Sequence, residues 1–138
     1  MSAQLNPYLH FNGNAEEALH FYGKVFSVEP VISRYGDNPA PDLKEEDKNN
    51  VMHGDINGDG IRLMISDSGP MGDVAPGSNY SLSLSGAAAD AEKLTEYFTK
   101  LSEGGKVTVP LSKAGWGDTF GMLEDKYGFG WLVNIAAE

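Results

Sequence analysis

The sequence has 138 residues, 41% hydrophobic and 22% charged, which is typical of one globular domain or of two small modules that share a core. Ten basic against 20 acidic residues give a net charge of −10, and a field of that sign repels nucleic acid and anionic lipid. The sequence has no cysteine and no apolar segment long enough to span a bilayer, and it does not open with a basic segment followed by an apolar core, so we expect a cytoplasmic protein without disulfides or thiol chemistry.

The first predicted elements are a strand over residues 8–11 and a helix that begins at Asn14. Asn14 and Glu17 have the spacing of a capping box. His10 alternates with two apolar neighbours, and we expect it to point toward the helix layer as a hydrogen-bonded core residue. The apolar face of the helix, which must pack on a sheet, consists of Ala15, Ala18, Leu19, Tyr22, Val25 and Phe26.

The rest of the first half is predicted to form three strands. Residues 28–35 favour an edge strand because Pro30 lies within them. Residues 36–50 are polar and interrupted by proline, which predicts a long loop of the kind that often contacts ligands or subunits. Residues 51–56 and 61–66 then form a hairpin.

The second half repeats the order of the first, after a predicted linker at residues 68–79. Each half is predicted to contain a strand, a helix and three further strands, so the modules are residues 1–67 and 80–138. The elements of the second module are a strand at 80–85, a helix from about residue 88, and strands at 107–111, 119–123 and 131–135.

Two motifs at opposite ends of the chain resemble one family. The first is Pro-Tyr-Leu-x-Phe-x-Gly-Asn-Ala-x-x-Ala-x-x-Phe-Tyr-x-x-Val-Phe, at residues 7–26; the second is Phe120 with Glu-Asp-Lys-Tyr-Gly-x-x-Trp-x-x-Asn, at residues 124–134. They are similar to the PhnB-like proteins, a branch of the vicinal-oxygen-chelate (glyoxalase/bleomycin-resistance/dioxygenase) superfamily. The resemblance implies an α+β fold of two βαβββ modules that form a curved, cup-like mixed sheet with helices outside. It also implies a homodimer, often with exchanged modules.

The resemblance also implies where a metal would lie. In the superfamily, His or Glu side chains on the first and last strands of each module hold a divalent cation inside the cup. None of the residues at these positions is a usual ligand, so we expect neither a metal nor another cofactor. The positions fall near Pro7, Met64, Tyr80 or Ser81, and Leu132.

The predicted ligand site lies inside the cup, and a flexible lip at residues 112–117 is expected over it. His53 is the candidate catalytic base or hydrogen-bond donor, because it resembles a histidine of PhnB-like proteins and shares a strand face with Asp55. The alternative is a structural histidine bonded to a nearby carboxylate or carbonyl, and packing alone would equally explain the aromatic residues. The candidate ligand-binding residues are His53, Asp55, Arg62, Ser66, Ser81, Ser83, Trp116, Phe120, Trp131 and Asn134.

The sequence therefore favours a homodimeric PhnB-like protein that binds a small organic molecule without a metal, with no assigned activity. The first alternative is a divalent-metal lyase or dioxygenase that uses His53, Asp55 and Asp67. The second is a drug-sequestering protein of the bleomycin-resistance kind, since a net charge of −10 would attract a cationic antibiotic.

Overall fold

The structure of the protein is a computed structural model, and it describes residues 3–38, 40–58, 60–68 and 73–138. The chain divides into two compact units, unit 1 (Met1–Ala75) and unit 2 (Pro76–Glu138). Within the described residues each unit contains one four-stranded mixed sheet and one α-helix, in the order βαβββ. The predicted α+β fold of two such modules is confirmed. Residues 69–72 of the predicted linker and residue 59 of the predicted hairpin turn lie outside the described residues.

Unit 1 has the strand order β1-β4-β3-β2, in which β1 is parallel to β4 and the other neighbours are antiparallel. The predicted loop before β3 contains two short 3₁₀ turns, Tyr35–Asp37 and Glu45–Asp47. The elements of the unit are β1 (Tyr8–Phe11), α1 (Ala15–Phe26), β2 (Val31–Arg34), β3 (Val51–Gly58) and β4 (Ile61–Asp67).

Helix α1 packs on one face of this sheet. Gly54 of β3 lies so close to the helix that a Cβ at this position would overlap Leu19. Gly54 pairs with Ile65 of β4, and Ile65 pairs with Leu9 of β1, so this row of residues faces α1. The core of unit 1 therefore lies between α1 and this face, where Leu9, Leu19 and Ile65 are buried.

The beginning of α1 is held by a carboxylate from β4. The side chain of Asn14 makes no capping hydrogen bond, so the predicted capping box is wrong at this residue. Instead, buried Asp67 accepts hydrogen bonds through Oδ1 from the amides of Gly13 (2.8 Å) and Ala15 (3.0 Å), and through Oδ2 from Val51 (2.9 Å). A carboxylate satisfies the free amides and opposes the positive end of the helix dipole better than an amide side chain does.

Unit 2 has the same topology, with the order β5-β8-β7-β6 and a parallel β5-β8 pair. Its helix begins later than predicted, after a 3₁₀ turn at Ala88–Asp90. β6 extends into the predicted lip, so residues 114–118 alone form the turn before β7. The elements are β5 (Leu82–Gly86), α2 (Ala91–Ser102), β6 (Lys106–Lys113), β7 (Thr119–Glu124) and β8 (Gly130–Ile135).

Helix α2 covers one face of the unit 2 sheet. A Cβ on Gly121 of β7 would come within 2.9 Å of Phe98 in the helix, and Gly121 pairs with Val133 of β8. Both helices have 12 residues, and neither is long and apolar enough to cross a membrane, as holds for every helix among the described residues.

Candidate functional site

The face of the unit 1 sheet opposite α1, here called the helix-free face, carries a cluster of polar side chains. Strand alternation places them there because the neighbouring residues Leu9, Gly54 and Ile65 face the helix. The cluster consists of Tyr8 and His10 on β1, His53 and Asp55 on β3, and Arg62 and Ser66 on β4.

Tyr8 connects the two histidines of this cluster. Its Oη lies 3.0 Å from His53 Nδ1, and the two rings meet edge to face with centroids 5.6 Å apart. The Tyr8 ring also stacks on His10, at a centroid distance of 4.8 Å and an interplanar angle of 20°. Tyr8 is 39% exposed, so this aromatic group can be reached from solvent.

His10 lies on the helix-free face, and the prediction that it points toward the helix is wrong. The physical reason is that Leu9 and Phe11, both 5% exposed, fill the side that faces α1. His10 Nδ1 lies 3.0 Å from Ser66 Oγ, on the neighbouring strand position, and the His10 ring is exposed while Ser66 is buried. The sequence contained this signal, because Leu9 and Phe11 are the apolar pair that has to meet the helix.

Asp55 and Arg62 form an ion pair on the same face. Arg62 Nε donates to Asp55 Oδ1 at 2.9 Å, and the side chains are 35% and 22% exposed respectively. Arg62 also lines an open cleft of about 560 Å³ between residues 4–6 and the β3-β4 turn.

Four of the ten predicted ligand-binding residues therefore share the helix-free face of unit 1. His53 and Asp55 were predicted to lie on one strand face, and the structure places them so. Tyr8 and His10 belong to the same cluster but were not predicted as site residues. The four predicted members are His53, Asp55, Arg62 and Ser66.

The other predicted residues belong to unit 2. Ser83, Phe120 and Asn134 lie on the sheet face opposite α2, and Ser81 immediately precedes β5. Trp116 lies in the β6-β7 turn, where it is 65% exposed and meets Phe120 edge to face at 5.5 Å. No imidazole or cationic side chain lies among these five residues.

Asp118 holds the β6-β7 turn. Its carboxylate accepts hydrogen bonds from Asn134 Nδ2 (3.1 Å) and from the amide of Ala137 (3.0 Å). The hydrogen bond from Asn134, followed by that from Ala137, lowers the pKa of Asp118 below its ordinary value. The amide nitrogen of Asn134 is therefore engaged with Asp118.

Trp131 lies on the side of the unit 2 sheet that α2 covers, apart from the other predicted residues of this unit. It is 3% exposed and shares the strand side of Val133, which faces α2. Its indole Nε1 donates to buried Asp125 Oδ2 at 2.8 Å. The position alternates with Leu132, so packing and not ligand contact explains this aromatic residue.

The residues at the implied metal positions do not fit a divalent metal. Pro7 precedes β1, and the residue that pairs with Met64 is Tyr8. In unit 2, Leu132 pairs with Ser83. A thioether, an aliphatic side chain and neutral hydroxyls are poor ligands for hard or borderline divalent cations.

The alternative metal site with His53, Asp55 and Asp67 does not form. Asp67 faces α1, and its carboxylate binds backbone amides, whereas His53 and Asp55 lie on the helix-free face. The described part of the chain contains no cluster of three or more His, Asp or Glu side chains that could hold a metal ion.

Comparison with known proteins identifies the family. The model of the 3-demethylubiquinone-9 3-methyltransferase family matches residues 3–134. Protein YjdN of Escherichia coli (strain K12) is 27% identical over 144 residues, covering 97% of this chain and 96% of that protein. A solved structure from Pseudomonas aeruginosa is 32% identical with a TM-score of 0.84, covering 99% of this chain and all of that one. The PhnB protein from Bacillus cereus is 32% identical with a TM-score of 0.74, covering 97% of this chain and all of that one.

More distant structures share the fold. A glyoxalase-related enzyme from Fulvimarina pelagi is 18% identical with a TM-score of 0.59, covering 99% of this chain and 89% of that one. The two βαβββ units are thus those of the glyoxalase/bleomycin-resistance fold. The chain belongs to the PhnB-like family, whose model is described as 3-demethylubiquinone-9 3-methyltransferase.

Proposed function

We propose that this protein is a cytoplasmic binding protein for a small organic molecule, which contacts the helix-free face of unit 1 without a metal. The observation that carries this proposal is the 3.0 Å contact between Tyr8 Oη and His53 Nδ1 on a partly exposed sheet face. A ring nitrogen held in this way leaves Nε2 as the group that a ligand meets.

The arrangement is preorganised for binding. Tyr8 is fixed by stacking on His10, and Ser33 Oγ donates to the carbonyl of His53 at 3.3 Å. Side chains that hold one another lose less conformational entropy when a ligand binds. Of this cluster, Arg62 lines the cleft, whereas Tyr8, His10 and His53 lie outside its lining.

We do not propose the methyltransferase activity that the family description names. A methyl-donor site of the doubly wound kind needs a parallel sheet with a glycine-rich turn before a helix. Each unit instead has a mixed sheet with a single parallel pair among its described strands. Family membership by itself does not assign a reaction, because function depends on the residues of the site.

Binding is tested by calorimetry of the purified protein with a panel of small organic acids, phenols, neutral alcohols and cationic antibiotics. We expect His53→Ala to weaken the binding of any hit by roughly threefold to tenfold, the value of one hydrogen bond, while the far-UV spectrum stays unchanged. His20→Ala is the matched control, because His20 lies on α1 and contacts Glu16 at 3.6 Å.

Several results would count against the proposal. Equal affinities of His53→Ala and the unmodified protein would show that the ligand binds elsewhere. A panel without any hit would contradict the binding function. Binding that disappears with a chelator would favour the metal lyase or dioxygenase. Hits confined to cationic antibiotics would favour drug sequestration.

We also propose that the protein acts as a homodimer. Exposed apolar side chains support this proposal, since Val31 of β2 is 72% exposed and Trp116 is 65% exposed in the single chain. Sedimentation velocity measures the mass directly, and a monomer at micromolar concentration would contradict it.

A further inference from the structure

The hydrogen-bond partner of Ser66 bears on which ring nitrogen of His10 carries the proton. Ser66 is 5% exposed, and its hydroxyl has His10 Nδ1 as its partner among the described residues. A buried hydroxyl that donated to nothing would carry an energetic cost, which favours donation from Ser66 Oγ to Nδ1. With Ser66 as the donor, the single proton of a neutral His10 imidazole lies on Nε2.

The same pattern holds for His53. A phenol O–H is a stronger hydrogen-bond donor than the N–H of a neutral imidazole, which favours donation from Tyr8 Oη to His53 Nδ1 across the 3.0 Å contact. His53 then also carries its proton on Nε2. The Tyr8 ring contacts both imidazole rings, with centroid distances of 4.8 Å to His10 and 5.6 Å to His53.

Arg62 and Asp55 are charged residues of the helix-free face, and the guanidinium has more unused N–H groups than the carboxylate has unused oxygens. Arg62 uses Nε for Asp55 and has no further hydrogen bond to the described residues, which leaves its terminal N–H groups. Asp55 is the carboxylate on this face, and one of its oxygens is engaged by Arg62. In the described part of the chain, the helix-free face therefore carries two imidazoles and a guanidinium with unused N–H groups, beside one carboxylate.

We propose that the ligand of this site is an organic oxyanion, a carboxylate or a phosphonate, bound by the Nε2–H groups of His10 and His53, with Arg62 further along the same sheet face. This inference rests on the proposed binding function and names the chemical class of its ligand. The net charge of −10 does not oppose it at short range, because ions screen distant charges beyond about 8 Å at physiological salt. Donors in direct contact decide the preference.

The first test needs no ligand. Long-range ¹⁵N–¹H NMR of the imidazoles, at an alkaline pH at which free histidine is neutral, reports which nitrogen carries the proton. We expect the Nε2–H form for His10 and His53, and a mixture of tautomers for His53 in Tyr8→Phe and for His10 in Ser66→Ala. The three histidines are assigned with single His→Gln variants, and His20 is the internal reference. An Nδ1–H form of either site histidine in the unmodified protein overturns the proposal.

The second test compares probes of one size and different charge. Benzoate, phenylphosphonate, benzyl alcohol and benzylammonium are titrated by calorimetry into the unmodified protein, His10→Ala, His53→Ala and His20→Ala. We expect benzoate or phenylphosphonate to bind at least about tenfold more tightly than benzyl alcohol, with this preference lost in His10→Ala and His53→Ala and kept in His20→Ala. The stronger of the two anions shows whether the site prefers a carboxylate or a phosphonate.

The outcomes separate this inference from the proposed function. If benzyl alcohol or benzylammonium binds as tightly as the anions and His53→Ala weakens it, the site stands and the oxyanion assignment is wrong. If none of the four probes binds, the oxyanion assignment is wrong, and the broader panel decides on the binding function. A preference for anions that survives both histidine variants also overturns it.

Discussion

The two units share one topology but carry different chemistry on their helix-free faces. In each unit one edge strand runs parallel to its inner neighbour, and a helix covers one face of the sheet. Unit 1 presents two imidazoles, a phenol and a guanidinium on the other side, whereas unit 2 presents serine hydroxyls, Phe120 and an amide that Asp118 already holds. Both units need the apolar side of the sheet in order to fold, so that side stays alike. The opposite side is not constrained by the core and can differ.

Among the residues that the structure describes, each unit has one buried carboxylate, but the two act at different places. Asp67 joins the beginning of α1 to the beginning of β3, and it is 2% exposed. Asp125, also 2% exposed, closes the β7-β8 turn, where it accepts hydrogen bonds from the amides of Tyr127 and Phe129 and from Trp131. The hydrogen bonds of Asp67 thus join residues far apart in the sequence, whereas those of Asp125 join residues close to it.

The largest expected effect is that of Asp67→Ala on unit 1. The substitution leaves three backbone amides without an acceptor, which should lower the free energy of unfolding by about 3 to 6 kcal/mol. Urea unfolding followed by circular dichroism measures this loss. Exposed Asp73→Ala is the control and should change stability by less than about 0.5 kcal/mol. A loss below about 1 kcal/mol for Asp67→Ala would show that this carboxylate does not hold unit 1 together.

The two tryptophans of unit 2 differ in burial, so their substitutions should differ in their effect on stability. Trp131→Phe removes the indole hydrogen bond to buried Asp125 and should cost about 2 to 3 kcal/mol in unfolding free energy. Trp116→Phe, at a position that is 65% exposed, should cost less than about 0.5 kcal/mol. The same urea experiment compares them, and equal losses would contradict the placement of Trp131 under α2.

Measurements of ligand binding test whether the site lies on unit 1. Tyr8→Phe removes the hydroxyl that orients His53 and should weaken the binding of a hit from the panel by roughly threefold to tenfold. Ser83→Ala, on the corresponding face of unit 2, should leave the affinity unchanged. Calorimetry of the two variants with the same compound decides the question. Weakening by Ser83→Ala alone would place the ligand on unit 2, as the sequence-based prediction for Ser81 and Ser83 allows.

The smallest expected effect concerns acid pH. Asp118 in unit 2 has a pKa below its ordinary value of 3.8, because Asn134 and the amide of Ala137 donate to its charged form. A lowered folded-state pKa means that the stabilisation is present above about pH 4 and is lost as the pH falls through the folded-state pKa. Trp116 fluorescence should report loosening of the turn in this range.

Asp118→Asn is the variant that checks this acid response. Its Trp116 fluorescence should change less between pH 5 and pH 3 than that of the unmodified protein, since the titrating group is gone. In unit 1, hydrogen bonding by Arg34 lowers the pKa of Glu16 in the same way. An unchanged fluorescence profile in Asp118→Asn would assign the acid response of the turn to another group.

The sequence predicted the parts of the site that depend on spacing along one strand. His53 and Asp55 are two residues apart, so strand geometry alone places them on one face. It did not identify Tyr8, whose contact with His53 joins residues 45 positions apart. No local pattern encodes such a partner, because the partner depends on which strands become neighbours.

By itself, the sequence determined the order of elements, the duplication and the family, because hydrophobic periodicity and end motifs are local properties of the chain. The tertiary structure alone decided which side meets a helix where a strand has apolar residues on both sides. Alternation separates Trp131 from Leu132 without saying which of these two apolar residues is covered. It also decided that Asp67, 52 residues from Ala15, holds the beginning of α1. The most favourable acceptor for a buried helix terminus is the one that folding brings there, at whatever distance it lies in the sequence.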